Sequence, residues 1–241
     1  MYRAVAVLAL AGCGRSGFGA LVDAAVDSAL TDGASTDGRA TDAPADAMVD
    51  VPMLGPCTKL ALADDFDDGV MAASWTLLAN NPVMVAENGQ LQVTLATAGG
   101  AHYGGYDSTT TYDLRDHCMY VSFVTTPTNE LNVEMTLSAR TAAGSTGWVY
   151  HQGTIDPFVN TGTFMSYGAI PYDPTVQKIL RVREDSGTMR WETSTDGVTF
   201  TLVTMQPTPM DVSAITVILE AGTFASAPSP GVATYDNFDV P

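Results

Sequence analysis

The feature that most constrains this chain is a pair of turn dipeptides, each set between runs of β-forming residues. Asn88-Gly89 separates residues 83–87 from 90–95, and Asp196-Gly197 separates 189–195 from 198–204. Two-residue hairpin turns need positive φ at both central positions, which Asn, Asp and Gly tolerate and β-branched residues do not. Both segments therefore read as hairpins. A third segment alternates strictly: Leu131, Val133, Met135 and Leu137 interleave with Asn132, Glu134, Thr136 and Ser138. Successive side chains of a strand point to opposite faces, so this pattern predicts a strand with one buried and one polar face. Further strands are expected over 59–66, 101–107, 119–125, 147–152, 162–168, 178–184, 213–220 and 231–240. About a dozen short strands joined by Gly- and Pro-rich turns, with no amphipathic helical stretch between them, predict an all-β fold. The expected architecture is a two-sheet antiparallel jelly-roll sandwich over residues 57–241.

Residues 1–56 have a different texture. Met1-Tyr2-Arg3 precedes an apolar run over residues 4–11, then Gly12-Cys13. So short a run suits the hydrophobic region of a secretory leader, not a membrane span. Leu10-Ala11-Gly12-Cys13 resembles the bacterial lipobox: an aliphatic residue, a small residue, Gly or Ala, then Cys. The resemblance implies a signal peptide over 1–12 and a Cys13 that carries diacylglycerol on its thiol and an acyl chain, such as palmitate, on its amine. More than one chain gives stable membrane anchoring. Gly14, where an Asp would mark inner-membrane retention, implies the outer membrane.

After Cys13, Asp recurs at 23, 27, 32, 37, 42, 46 and 50, and within residues 20–50 only Arg39 opposes it. Such a stretch cannot bury enough apolar surface to offset its ordering entropy, so 13–56 reads as a disordered Ala/Asp/Thr-rich tether. A helix over 20–30 is the competing reading. As a flexible coil the tether would span about 35 Å.

The whole chain carries 27 acidic and 10 basic side chains, a net charge of −17, and its only lysines are Lys59 and Lys178. Nucleic-acid binding by phosphate neutralisation and charge-driven attachment to anionic lipid both need a basic surface, and neither is expected.

The opening Asp64-Asp65-Phe66-Asp67-Asp68-Gly69, Trp75, and Glu87-Asn88-Gly89-Gln90-Leu91-Gln92-Val93 resemble the start of concanavalin A-like lectin/glucanase (LamG-like) jelly rolls. The ending Thr234-Tyr235-Asp236-Asn237-Phe238-Asp239-Val240 and the hairpin Ser194-Thr195-Asp196-Gly197-Val198-Thr199-Phe200 resemble the same group. The resemblance implies architecture more than activity, because this fold hosts lectins, glycosidases, adhesins and domains without a ligand.

Several constellations are candidates for function. Cys57 and Cys118 remain as a pair once Cys13 is lipidated, and in an exported protein they are expected to form a disulfide; two buried free thiols are the alternative. Strand alternation would put Glu130, Asn132 and Glu134 on one face. The segment resembles the Glu-x-Asp-x-Glu catalytic strand of family 16 glucanases. That implies Glu130 as nucleophile and Glu134 as acid/base, with Asn132 departing from the pattern. A solvated strand face is the plainer expectation. Tyr103, Tyr106, Trp148 and Tyr150 are candidates for stacking on sugar rings, against the alternative that they fill the core. Asp64, Asp65, Asp67 and Asp68 at one end, with Asp236, Asn237 and Asp239 at the other, offer oxygens for a structural calcium. Their other reading is turn-forming and edge-protecting Asp. No other cofactor is expected. The expected function is non-catalytic binding of glycan or another envelope partner. The alternatives are a family 16-type hydrolase using Glu130 and Glu134, and a structural envelope protein.

Overall fold

The computed structural model describes residues 57–240, so the leader, Cys13 and the tether lie outside the described residues. The strands, in chain order, are β1 (Thr58–Lys59), β2 (Trp75–Ala79), β3 (Met84–Glu87), β4 (Leu91–Thr94), β5 (His102–Ser108), β6 (His117–Thr125), β7 (Val133–Thr141) and β8 (Gly144–His151). They continue as β9 (Thr154–Asn160), β10 (Phe164–Ser166), β11 (Ile170–Pro171), β12 (Ile179–Asp185), β13 (Thr188–Ser194), β14 (Thr201–Pro207), β15 (Thr216–Thr223) and β16 (Val232–Asp236). Among the described residues there is no helix.

Two sheets form a sandwich. The first runs β14-β13-β12-β6-β16-β4-β3, and the second runs β10-β9-β8-β7-β15-β5-β2. All these pairs are antiparallel; β1 adds to β6 in parallel, and β11 pairs with β9.

The inner faces follow from the two-residue strand period. Val133, Met135, Leu137 and Ala139 on β7 are fully buried, as are Val217, Leu219 and Ala221 on β15. Met119 and Val121 on β6, Leu180 and Val182 on β12, and Tyr235 on β16 meet them from the first sheet. Each fully buried large apolar side chain contributes roughly 1.5–3 kcal/mol. Two tryptophans staple the layers through their one polar atom. Trp148 Nε1 donates to the Arg181 carbonyl at 2.9 Å, and Trp191 Nε1 donates to the Gly147 carbonyl at 2.8 Å.

The ends of the domain meet. Asp64 and Phe238 exchange two backbone hydrogen bonds of 2.9 and 2.8 Å. Cys57 and Cys118 form the expected disulfide, with Cα atoms 6.0 Å apart.

Three local expectations need correction. Leu131 is 63% exposed, because β7 begins only at Val133 and residues 131–132 form a turn. Thr136 and Ser138, expected to be exposed, are buried although they point away from the core. The hairpin turns are longer than two residues. Gly89 has φ +74° and Gly197 φ +73°, but Asn88 and Asp196 are not in the positive-φ region. Asp196 instead uses its carboxylate, which accepts the backbone N–H groups of Val198 and Thr199.

Candidate functional site: the open face of the second sheet

The strand register assembles four rows on the face of the second sheet that points away from the core. The first row is Tyr103, Gly222, Glu134 and His151, and the second is Gly105, Glu220, Thr136 and Val149. The third is Asp107, Ile218, Ser138 and Gly147, and the fourth is Thr216, Arg140 and Ser145. Ile218 is wholly buried and Val149 and Phe158 nearly so, yet none belongs to the core cluster. Neighbours on the same face cover them: the Phe164 ring stacks on Phe158 with centroids 5.5 Å apart, and Arg140 reaches across Ile218 to Asp107 and Glu220.

The first row carries an aromatic shelf. A Cβ on Gly222 would lie 2.5 Å from Cδ1 of Tyr103. The Tyr103 ring therefore lies against the bare backbone of β15, and its hydroxyl reaches across to donate to Glu134 Oε1 at 2.7 Å. Any side chain at position 222 would lift that ring. Glycine is also required at 105, where φ is +146° and a Cβ would meet the Leu219 carbonyl oxygen at 1.9 Å. Glu220 thus has no side chain beside it on β5.

Arg140 bridges the lower rows. Its Nη1 lies 3.8 Å from Asp107 Oδ2, and its Nη2 lies 3.6 Å from Glu220 Oε1. The register places Ile218 between these partners, so the guanidinium arches over it. Burial pushes the Glu220 carboxyl up to about 7; the Arg140 charge pulls it back, and Glu134 and Asp107 add to the rise. Burial raises Asp107 too, again opposed by Arg140. Beside Arg140 a shallow, open depression of about 450 Å³ lies between the turns at 141–144 and 160–162, bordered by Ser145 and Asn160.

The residues singled out from sequence fall in different places. Glu134 is on the open face, but Glu130 is not on the strand. It sits in the turn before β7, and its Oε1 accepts the Ser229 N–H at 2.8 Å. Asn132 is tied to the Ser226 carbonyl at 2.8 Å. The expected shared strand face of Glu130, Asn132 and Glu134 does not form, because the chain turns at 131–132, closed by a Val133 N–H to Glu130 carbonyl hydrogen bond of 3.2 Å, and β7 starts only at Val133.

Trp148 and Tyr150 do share a face, but it is the inner one, with 0% and 3% exposure, and Tyr106 at 3% is inner as well. None of the three can stack on a sugar. Tyr103 alone of the four lies on the open face.

The acidic ends are brought together at the Asp64–Phe238 bridge, where their oxygens serve the fold. Asp64 accepts from the Phe66 N–H and the Trp75 indole, and Asp65 from the Asp67 N–H. Asp236 accepts from Gln90. Asp239 accepts the Tyr120 N–H, and burial raises its carboxyl well above the usual range. Among the described residues no group of three or more His, Cys, Asp or Glu is arranged to hold a metal ion.

Nothing in the local pattern marks Asp107 or Arg140, and the one signal for Glu220 is a lone carboxylate following the apolar Val217-Ile218-Leu219 and preceding Ala221.

This combination defines an architectural class: a two-sheet jelly-roll sandwich with a polar outer face on its second sheet. Solved structures bear out the class. A glycosyl hydrolase family protein from Mycobacterium fortuitum superposes with a TM-score of 0.55 at 15% identity, covering 75% of this chain and 99% of its own. An uncharacterised protein from Mycobacterium paratuberculosis gives 0.56 at 12% identity, covering 73% and 98%. A β-1,3-1,4-glucanase (lichenase) derived from a mouse hindgut metagenome gives 0.53 at 10% identity, covering 73% and 96%. At these identities the likeness is one of fold. No family model matches the sequence, and no curated protein does.

Proposed function

We propose that this chain is a glycan-recognition protein of the bacterial envelope, held to the membrane by lipid on Cys13, with residues 13–56 as its tether. The saccharide lies on the open face of the second sheet. The observation that carries this reading is the Tyr103 ring, seated on Gly222 and fixed by Glu134, beside the Asp107–Arg140–Glu220 bridge. An aromatic face packs against the apolar C–H surface of a sugar ring, while Glu134 and the Arg140 guanidinium beside it take hydroxyls. The fold's resemblance to glycoside-hydrolase sandwiches supports the same ligand class.

Binding is favoured over hydrolysis by Glu130 and Glu134. Retaining hydrolysis needs two carboxylates ~5 Å apart across the scissile bond. Here Glu130 caps a loop amide, and Glu134 holds a tyrosine hydroxyl.

The test is a glycan array probed with the purified protein and with Tyr103→Ala. Binding by the wild type that falls at least about tenfold in the variant supports the reading, since aromatic stacking and lost area together exceed 1.4 kcal/mol. Equal binding by both places the ligand elsewhere. For the anchor, Cys13→Ser should move the protein from the membrane fraction to the soluble one, and unchanged fractionation would refute lipidation.

A further inference from the structure

Glu220 is an enclosed carboxylate on the open face, with a side chain 19% exposed against 28% for Asp107, and like charges stand near it. Its direct partner on β5 is Gly105, with Asp107 one row to one side and Tyr103 one row to the other; on β7 it pairs with Thr136, with Glu134 one row away and Arg140 two rows away on the opposite side. His151 on β8 lies beyond Glu134 and turns its Nδ1 to the Val133 carbonyl. From beneath, the Tyr235 hydroxyl of β16 donates to the Glu220 carbonyl and fixes the backbone under the side chain. Neither β2 nor β4 brings a titratable group. One guanidinium thus serves two carboxylates, at 3.8 and 3.6 Å, while a third carboxylate stands at the diagonal position on β7.

We propose that protonation of Glu220 gates saccharide binding on this face: the neutral carboxyl can be covered by a sugar, and the ionised one resists it. The proposal rests on the open face being the glycan site. Its reasoning is thermodynamic. A ligand lying across Tyr103 and Glu134 removes the last water from the neighbouring Glu220 side chain. Desolvation disfavours the charged form, so a bound neutral sugar raises the pKa further and binding takes up a proton. Affinity for a neutral glycan then falls as pH rises through the value in the free protein. Burial has already brought the Glu220 carboxyl to about 7, so the gate operates around neutrality. A glycan bearing carboxylates of its own would be repelled more strongly at high pH, because the described domain already carries seven basic and twenty acidic side chains.

The test uses the whole purified protein with mixed-linkage β-1,3-1,4-glucan oligosaccharides as probe, titrated calorimetrically at about pH 5.5 and about pH 8.5. Carboxyl-carbon NMR follows Glu220 in the free protein. The expected result is affinity at least about threefold weaker at the higher pH, proton uptake on binding, and loss of that pH slope in Glu220→Gln. Binding that is flat with pH, or a slope that survives in Glu220→Gln, overturns the gate and leaves the glycan site standing. A Glu220 carboxyl that titrates in the ordinary range also overturns it. Absence of binding at either pH by folded protein, for these oligosaccharides and for every saccharide of the array, overturns the glycan site and the gate together.

Discussion

Glu220→Gln should make the protein more stable at alkaline pH and leave it unchanged in acid. The glutamine keeps the shape of the protonated side chain and cannot ionise. In the wild type, the folded carboxyl is raised from 4.5 to about 7, mainly by burial. A group whose folded pKa is raised contributes stability that is complete below the unfolded value. That stability is lost as pH climbs through the folded value. At about 1.36 kcal/mol per pH unit, the shift corresponds to a loss of up to about 3 kcal/mol between pH ~4.5 and pH ~8. The side chain is 19% exposed, little enough that solvent screening removes only part of this. Urea denaturation of the wild type and Glu220→Gln at about pH 4.5 and about pH 8.5 reads it directly. The two proteins should match at the lower pH, and the variant should be the more stable by about 2–3 kcal/mol at the higher. A difference equal at both pH values, or a less stable variant at high pH, would refute the desolvation argument.

Other outcomes follow from the same physics. Cys118→Ala opens a crosslink between residues 61 apart in sequence. It should cost about 4 kcal/mol by loop entropy, seen as a lower thermal midpoint that reductant no longer changes. Arg181→Met leaves Glu192, which is 0% exposed, without its buried ion-pair partner beneath the Phe200 ring. It should cost about 3–5 kcal/mol in denaturant, whereas the double change Arg181→Met with Glu192→Leu should recover most of that. If the single change is as mild as the double, the pair is more hydrated than its burial implies.

The strand pattern made the fold class legible, because period-two alternation and Gly-containing turns are local signals. Val133, Met135 and Leu137 point inward as alternation requires, and Cys57 and Cys118, the pair left once Cys13 is set aside, are bridged. Three strands leave too weak a pattern: β9, β2 and the two-residue β11. β9 contains Pro157, which argues against a strand interior. It is tolerated because β10 pairs only with 158–160 and β11 only with 154–155, so no neighbour on that edge needs its missing N–H. β2 is short, and its Leu77 is 50% exposed at the sheet edge, so its pattern is weak. The site was harder to see than the fold. Alternation shows that Trp148 and Tyr150 share a face but not which side of the sheet is the core. The Tyr103–Glu134 and Asp107–Arg140–Glu220 contacts join strands 31, 33 and 80 residues apart, and register between distant strands leaves no local trace.

The most direct test of the central claim is backbone-amide chemical-shift mapping with a glycan selected on the array. A saccharide on the open face of the second sheet should shift the amides of Tyr103, Glu134, Glu220 and their row neighbours. Those of Arg181, Glu192 and Met205 on the first sheet should stay unmoved. Shifts concentrated on the first sheet, or an unchanged spectrum at saturating glycan, would contradict it.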